Sequence, residues 1–156
     1  MKISSIKKKT IDINKARFIQ KELACLISRE GGGTQPSYIA GVDIATSGKT
    51  KISQAAVVVL SYPGMNLAEI ELVKRKIDFP YVPGLLSFRE LPLILAAIRK
   101  LKILPDLIMV DGHGIAHPRR FGIASHIGLL LDKSTIGCAK SRLCGSYMIP
   151  GEQSGN

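Results

Sequence analysis

Hydrophobic and polar positions follow two different periods along this chain, and the periods divide it into elements. Residues 12–30, DINKARFIQKELACLISRE, set Ala16, Ile19, Leu23, Leu26 and Ile27 at helical spacing. Asp12 is placed to cap the start of that helix and Gly31-Gly32-Gly33 to end it. YIAGVDIA at 38–45 is short, apolar and β-branched, which predicts a buried strand, and SQAAVVVLS at 53–61 predicts a second. TSGKTK between them reads as a hairpin turn, and PGMN at 63–66 as another. LAEIELVKRKI at 67–77 alternates, as a strand with one wet face does. After the loop DFPYVPGLLS, FRELPLILAAIRKLK at 88–102 predicts a helix and LIMVD at 107–111 a continuous apolar strand. GHGIAHPRRFG at 112–122 is too rich in glycine and histidine for a regular element. IASHIGLLLD at 123–132 is helical again, TIGCAK at 135–140 a short buried strand, and GSYMIPGEQSGN a loop. Three hairpin-linked strands followed by βα units imply an α/β fold: one mixed sheet flanked by helices.

Composition narrows the class. With 46% hydrophobic and 22% charged residues in 156, the chain can build a single core and is not disordered. No apolar run reaches about 18 residues, so no membrane-spanning helix is expected. MKISSIKKKT carries charge but no apolar stretch behind it, so no export signal is read there. Cys25, Cys138 and Cys144 form an odd set without CxxC spacing, which suits a reducing cytoplasm better than a disulfide framework or zinc ribbon. A net charge of +10 and a pI near 9.7 point to a polyanionic partner, with nucleic acid the first candidate. The excess is front-loaded: residues 1–52 hold ten Lys or Arg against four acids. It includes Lys7-Lys8-Lys9, which alone reads as a solvated basic tail.

The twelve acidic residues are more informative than the bases. Asp43 lies inside one apolar strand and Asp111 closes another. A buried unpaired carboxylate is costly, so both need compensation. Carboxylates at neighbouring strand ends can converge, and two that do so repel unless a cation lies between them. Hard oxygen donors with room for phosphate suit Mg²⁺ or Mn²⁺. Asp111 has a competing reading as a cap of the following GHG turn. A buried salt bridge is the weaker alternative for Asp43, since no basic residue lies within five positions of it. Glu90 closes a Ser87-x-x-Glu90 capping box, and spacing alone favours a cap over a ligand. Pro92 blurs the start of that helix.

His113, His117 and His126 fall within fourteen residues. Gly112, Gly114 and Pro118 oppose a helical metal pair at His113 and His117, which read instead as loop hydrogen-bonders or phosphate contacts. His126 reads as a satisfied helix residue. Gly112, Gly114 and Gly122, with Arg119 and Arg120 between, allow a backbone to approach a ligand while charge holds phosphate. Lys140 can reach a phosphate or simply end a strand. Tyr81, between Pro80 and Pro83, reads equally as a wedge into a base stack or as a core tyrosine.

Taken together, Val42-Asp43, PYVPGLLSFRE at 80–90, DGHGIAHPRRFGIASHIG at 111–128 and IGCAKSRLCG at 136–145 resemble the endonuclease V family of deoxyinosine 3′-endonucleases. The resemblance covers nearly the whole chain and implies a ribonuclease H-like fold. It implies Asp43 and Asp111 as Mg²⁺ ligands (Mn²⁺ as a substitute) and Glu90 as the third catalytic acid in preference to a cap alone, with room for both roles. It implies Tyr81 with Pro83 as the wedge beside the lesion, and Gly84, Leu86 and Gly112 as backbone lining of a flipped-base pocket. His117 and Lys140 match polar residues near the scissile phosphate. The implied reaction is hydrolysis of the second phosphodiester 3′ to deoxyinosine, leaving 3′-hydroxyl and 5′-phosphate ends. The implied partner is DNA containing deoxyinosine or other lesions, with inosine in RNA as an alternative, bound by a monomer in the cytoplasm.

The family pattern continues beyond the SRLCG segment with further strands and a helix that brings a histidine to the metal site. Residues 1–156 are therefore read as a single domain of this family, shortened at its C-terminus. Two functional alternatives accompany the enzyme reading: a catalytically impaired form that only binds inosine-containing nucleic acid, and another ribonuclease H-like nuclease. The PYVPG and DGHG motifs weigh against the latter.

Overall fold

A computed structural model describes residues 12–30, 35–48, 50 and 52–153. Gly31-Gly32-Gly33 and Lys7-Lys8-Lys9 lie outside these residues. The described elements are helix α1 (Ile13–Ala24), strands β1 (Tyr38–Thr46), β2 (Ile52–Ser61) and β3 (Leu67–Lys76), helix α2 (Leu86–Ile98), strand β4 (Leu107–Val110), helix α3 (Ile123–Leu131) and strand β5 (Ser134–Gly137). The strands form one sheet in the order β3-β2-β1-β4-β5. The two hairpins pair antiparallel, whereas β1–β4 and β4–β5 pair parallel. This is the mixed α/β sheet that the hydrophobic pattern implies.

Alternation decides which face is covered. Ala40 and Val42 of β1, Val57 and Val59 of β2, and Ile108 and Val110 of β4 are buried against α2 and α3. Leu91, Ile94, Ala97 and Ile98 supply the facing stripe of α2, and Ile123 and Ile127 that of α3. Each such fully buried aliphatic side chain contributes roughly 1.5–3 kcal/mol relative to exposure. The opposite face remains open among the described residues: Ile70, Leu72 and Met109 are 49%, 50% and 40% exposed. The helices expected to flank the sheet are present, and among the described elements α2 and α3 cover one of its faces. β5 is an edge strand and mostly exposed, not the buried strand that its composition suggests.

Two carboxylates fix the connections. Ser37 and Tyr38 donate their backbone N–H groups to Asp106 Oδ2 at 2.8 and 3.0 Å, tying the start of β1 to the start of β4. Glu69 accepts from the N–H groups of Lys102 and Ile103, holding the chain just after α2 against β3. These backbone donors hold both carboxyls below their ordinary range.

Helix limits differ from the periodic pattern for local reasons. Asp12 caps α1 as expected, accepting from Lys15 N–H at 2.7 Å. The helix ends at Ala24, because Leu26 is 63% exposed and has no core to join. α2 starts two residues early, which puts Pro92 inside it and leaves the Phe88 carbonyl without its helical donor. His126 is not the satisfied residue its position suggests. It is packed between Phe88 and Phe121, at ring separations of 5.4 and 4.9 Å, and its Nδ1 has no partner.

Burial lowers the His126 pKa from 6.5 to about 4. The unfolded chain binds a proton in that window that the native chain does not, so stability declines as pH falls from 6.5 through about 4. His126→Phe is predicted to flatten this part of a melting-temperature profile against pH. An unchanged slope contradicts the assignment.

Candidate active site

The parallel register pairs Val42 with Val110, and Asp111 N–H donates to Val42 O at 3.1 Å. Asp43 and Asp111 therefore stand level on adjacent strands, whose spacing is about 4.8 Å. Both fall on the alternation opposite the core. Asp43 is exposed and Asp111 half-buried, so neither is the buried carboxylate inferred from its apolar neighbours. Asp43 Oδ1 accepts from Ile44 N–H at 2.7 Å. Lys140 Nζ bonds Asp111 Oδ2 at 2.6 Å, and this contact raises the lysine pKa.

Glu90 approaches from α2. The capping box does not form: Leu85 is the N-cap residue, without a side-chain bond, and Ser87 Oγ has no partner. Glu90 is half-buried, and desolvation raises its pKa to about 7 against the pull of Arg89. Asp43 and Asp111 add to the rise, which marks the three acids as one electrostatic set.

Each of the ten residues singled out by the resemblance borders one cavity of about 430 Å³. Both aspartates also border a shallower hollow of about 530 Å³ on the open sheet face, beside Ala56, Val58 and Met109. Tyr81 is 71% exposed at the cavity rim, which removes the core-tyrosine reading. Leu86 opens α2, and Gly84 has φ +77°, a conformation glycine adopts without strain. His113 and His117 are loop hydrogen-bonders, to Ser141 O at 2.9 Å and Gly84 O at 3.0 Å. His117 Nδ1 also accepts Arg119 N–H at 3.1 Å, so both its ring nitrogens are engaged within the chain.

One member of the basic pair in the glycine-rich loop departs from the expected role. Arg119 is folded back onto Gln20 Oε1 and Gly84 O, at 2.6 and 2.8 Å, instead of standing free for phosphate. Gly112 and Gly122 of this loop, with Gly137 of β5, serve close packing within the chain. A Cβ at Gly122 would lie 2.2 Å from His113 O, and one at Gly137 would lie 2.5 Å from Gly112 O. Sequence reasoning missed Ser87, a buried hydroxyl lining the cavity, and Gln20. The signal for Gln20 was present: a polar residue on the apolar stripe of α1, four positions after Ala16.

The donor set fits a hard divalent cation. Two aspartates stand level, a third acid shares their cavity, and one lysine offsets only part of the charge. Among the described residues no three acid, histidine or cysteine side chains are grouped tightly enough to hold an ion alone. Mg²⁺ is commonly held by one or two carboxylates, with water and substrate phosphate completing the shell.

A mixed sheet with paired aspartates on its central strands and a glutamate from the following helix defines a ribonuclease H-like protein with a carboxylate site. The endonuclease V family model matches residues 21–156, and the chain belongs to that family. An endonuclease V of Dehalococcoides mccartyi is 51% identical over 141 residues, covering 90% of this chain and 63% of the relative. One from Gloeobacter violaceus is 54% identical over 129 residues, covering 81% and 52%. The crystal structure of the Streptomyces avermitilis endonuclease V superposes with a TM-score of 0.84 at 41% identity, over 91% of this chain and 63% of that one. The Ciona intestinalis endonuclease V bound to DNA containing an inosine followed by a ribo-adenosine gives 0.79 at 34% identity, over 83% and 57%. The chain thus spans less than two thirds of the length of these relatives.

Gly122→Ala is predicted to destabilise the fold by about 2–3 kcal/mol, the cost of forcing a methyl into packed backbone. Urea unfolding measures it. A change below about 0.5 kcal/mol, the range of ordinary surface substitutions, contradicts the packing account.

Proposed function

We propose that this chain is an inosine-directed endonuclease, hydrolysing the second phosphodiester bond 3′ to deoxyinosine and leaving 3′-hydroxyl and 5′-phosphate ends. The observation that carries the proposal is the sharing of one cavity by Asp43, Glu90 and Asp111 with an exposed aromatic ring, Tyr81, at its rim. Family membership supports it, as does the binding of inosine-containing DNA by the Ciona relative.

Asp43 and Asp111 would hold Mg²⁺, for which Mn²⁺ can substitute. The bound cation lowers the pKa of water and offsets charge developing on the phosphate. Glu90, carried on α2, completes the acidic set that lines the cavity. Lys140, exposed and bonded to Asp111, carries a positive charge next to the aspartates, where a phosphate can meet it. Tyr81 fills the gap left in the stack when the base is extruded. The backbone at Gly84, Leu86 and Gly112 lines the receiving pocket. Hypoxanthine presents an oxygen where adenine presents an amine, so a backbone N–H there discriminates between them. The basic surplus draws the polyanion to the site.

The proposal places a monomer in the cytoplasm. Cys25, Cys138 and Cys144 are free thiols, which suits a reducing compartment, and no described helix is long and apolar enough to cross a membrane.

A nicking assay on a deoxyinosine duplex with Mg²⁺, and on an inosine RNA in parallel, tests the reaction. Nicking at the stated bond is expected, with a loss of at least about a hundredfold in Asp43→Asn and Asp111→Asn, the scale on which catalytic electrostatics acts. Binding without nicking by the wild-type chain would instead favour the binding-only alternative. Tyr81→Ala is predicted to cut the preference for inosine over plain duplex about tenfold, in line with the loss of one aromatic stack. Affinity is predicted to fall about tenfold or more between roughly 50 and 200 mM salt. A salt-independent affinity contradicts phosphate binding.

A further inference from the structure

Three side chains converge on one carbonyl oxygen at the edge of the cavity. Gly84 O accepts from Gln20 Nε2 at 2.9 Å, His117 Nε2 at 3.0 Å and Arg119 Nη2 at 2.8 Å. The donors are bonded to one another as well. Arg119 Nε donates to Gln20 Oε1 at 2.6 Å, and Gln20 Nε2 also donates to Phe121 O at 3.0 Å. Arg119 N–H donates to His117 Nδ1, so Nδ1 carries no proton and Nε2 must be the protonated nitrogen. One backbone bond thereby selects the tautomer that can donate to Gly84.

This network is not surface decoration. Gln20 is 1% exposed and His117 3%. An apolar residue at position 20 would fill the same space without the cost of burying an amide. A carbonyl offers two lone pairs, and here it faces three donors, one of them cationic. The bonds join α1 to the loop before α2, across 64 residues of sequence.

The other end of that loop is also clamped by an arginine. Arg89 Nη1 donates to Phe79 O at 2.6 Å. Between the clamps, Tyr81 stands 71% exposed, and the backbone bond closing this stretch is the turn from Leu85 N–H to Val82 O. A ring presented on so short a loop can hold its direction only if both ends are fixed. We infer that Gln20 and Arg119 are positioning residues that set the direction of Tyr81 through the Gly84 carbonyl. The inference rests on the reading of Tyr81 as the group that enters the duplex. It also assigns Arg119 a role through its forked geometry, distinct from phosphate neutralisation.

The chain contains no tryptophan, so Tyr81→Trp places a single indole reporter on the loop. In that parent, Gln20→Met and Arg119→Lys are compared by the anisotropy of the indole fluorescence without nucleic acid, then by affinity for inosine-containing and plain duplexes. Gln20→Met keeps volume and removes the bonds. Arg119→Lys keeps charge and removes the fork. Both are expected to lower the anisotropy with an unchanged far-ultraviolet circular dichroism spectrum. Both are expected to weaken inosine binding about tenfold, the scale of one or two buried hydrogen bonds, and plain-duplex binding less than about twofold. In a Tyr81→Ala background, Gln20→Met should cause no further loss of inosine preference. Unchanged anisotropy, equal losses on both duplexes, or wild-type behaviour of Arg119→Lys each overturn the inference. If Gln20→Met fails to fold, Arg119→Lys, at a less buried position, gives the same readings. If the wild-type chain shows no inosine preference, the functional reading has failed, and the anisotropy comparison still decides whether the network directs the loop.

Discussion

The parallel pairing of β1 with β4 is the constraint on which the site depends. It is held at both ends by backbone bonds: Asp106 N–H to Tyr38 O at 2.9 Å, and Asp111 N–H to Val42 O at 3.1 Å. The Asp106 carboxylate adds two bonds to the start of β1. Because side chains alternate across a strand, a slip of one residue would send Asp111 to the core face and Val110 to the cavity. The register that buries Val42 and Val110 is thus the same register that sets Asp43 beside Asp111. Core packing and site geometry are a single requirement in this fold.

The charge of the molecule divides accordingly. A chain of +10 concentrates three acids in one cavity, where burial first, and then the charges of Asp43 and Asp111, raise the pKa of Glu90. A carboxylate cluster of this kind repels a polyanion on its own. On the proposed function, the basic surplus would supply long-range attraction, and a hard cation held by Asp43 and Asp111 would offset the local conflict. This is why the scarce acids, and not the abundant bases, identify the site.

Much of the fold was legible because its signals are local. The three hairpin strands follow from β-branched runs and alternation, and Asp12 capped its helix as its position implies. What escaped notice depends on contacts distant in sequence. Spacing around Glu90 points to a cap, and only the motif resemblance set it with Asp43 and Asp111, whose cavity it lines. Nothing near Arg119 shows that it turns to α1. The packing of His126 between two phenylalanines, one from the segment before α3 and one from α2, is equally invisible to spacing. The motif resemblance supplied the ten site residues that share the cavity. The bonds that hold them in place emerged only from the structure.

The central claim is that Asp43, Asp111 and Glu90 act together on one divalent cation. Titration of the chain with Mn²⁺, followed by electron paramagnetic resonance, tests it without requiring any reaction. The account predicts one ion bound per chain, with affinity lost in Asp43→Asn and in Asp111→Asn and weakened in Glu90→Gln. Mn²⁺ binding that is equal in all four proteins, or absent from the wild type, would contradict it.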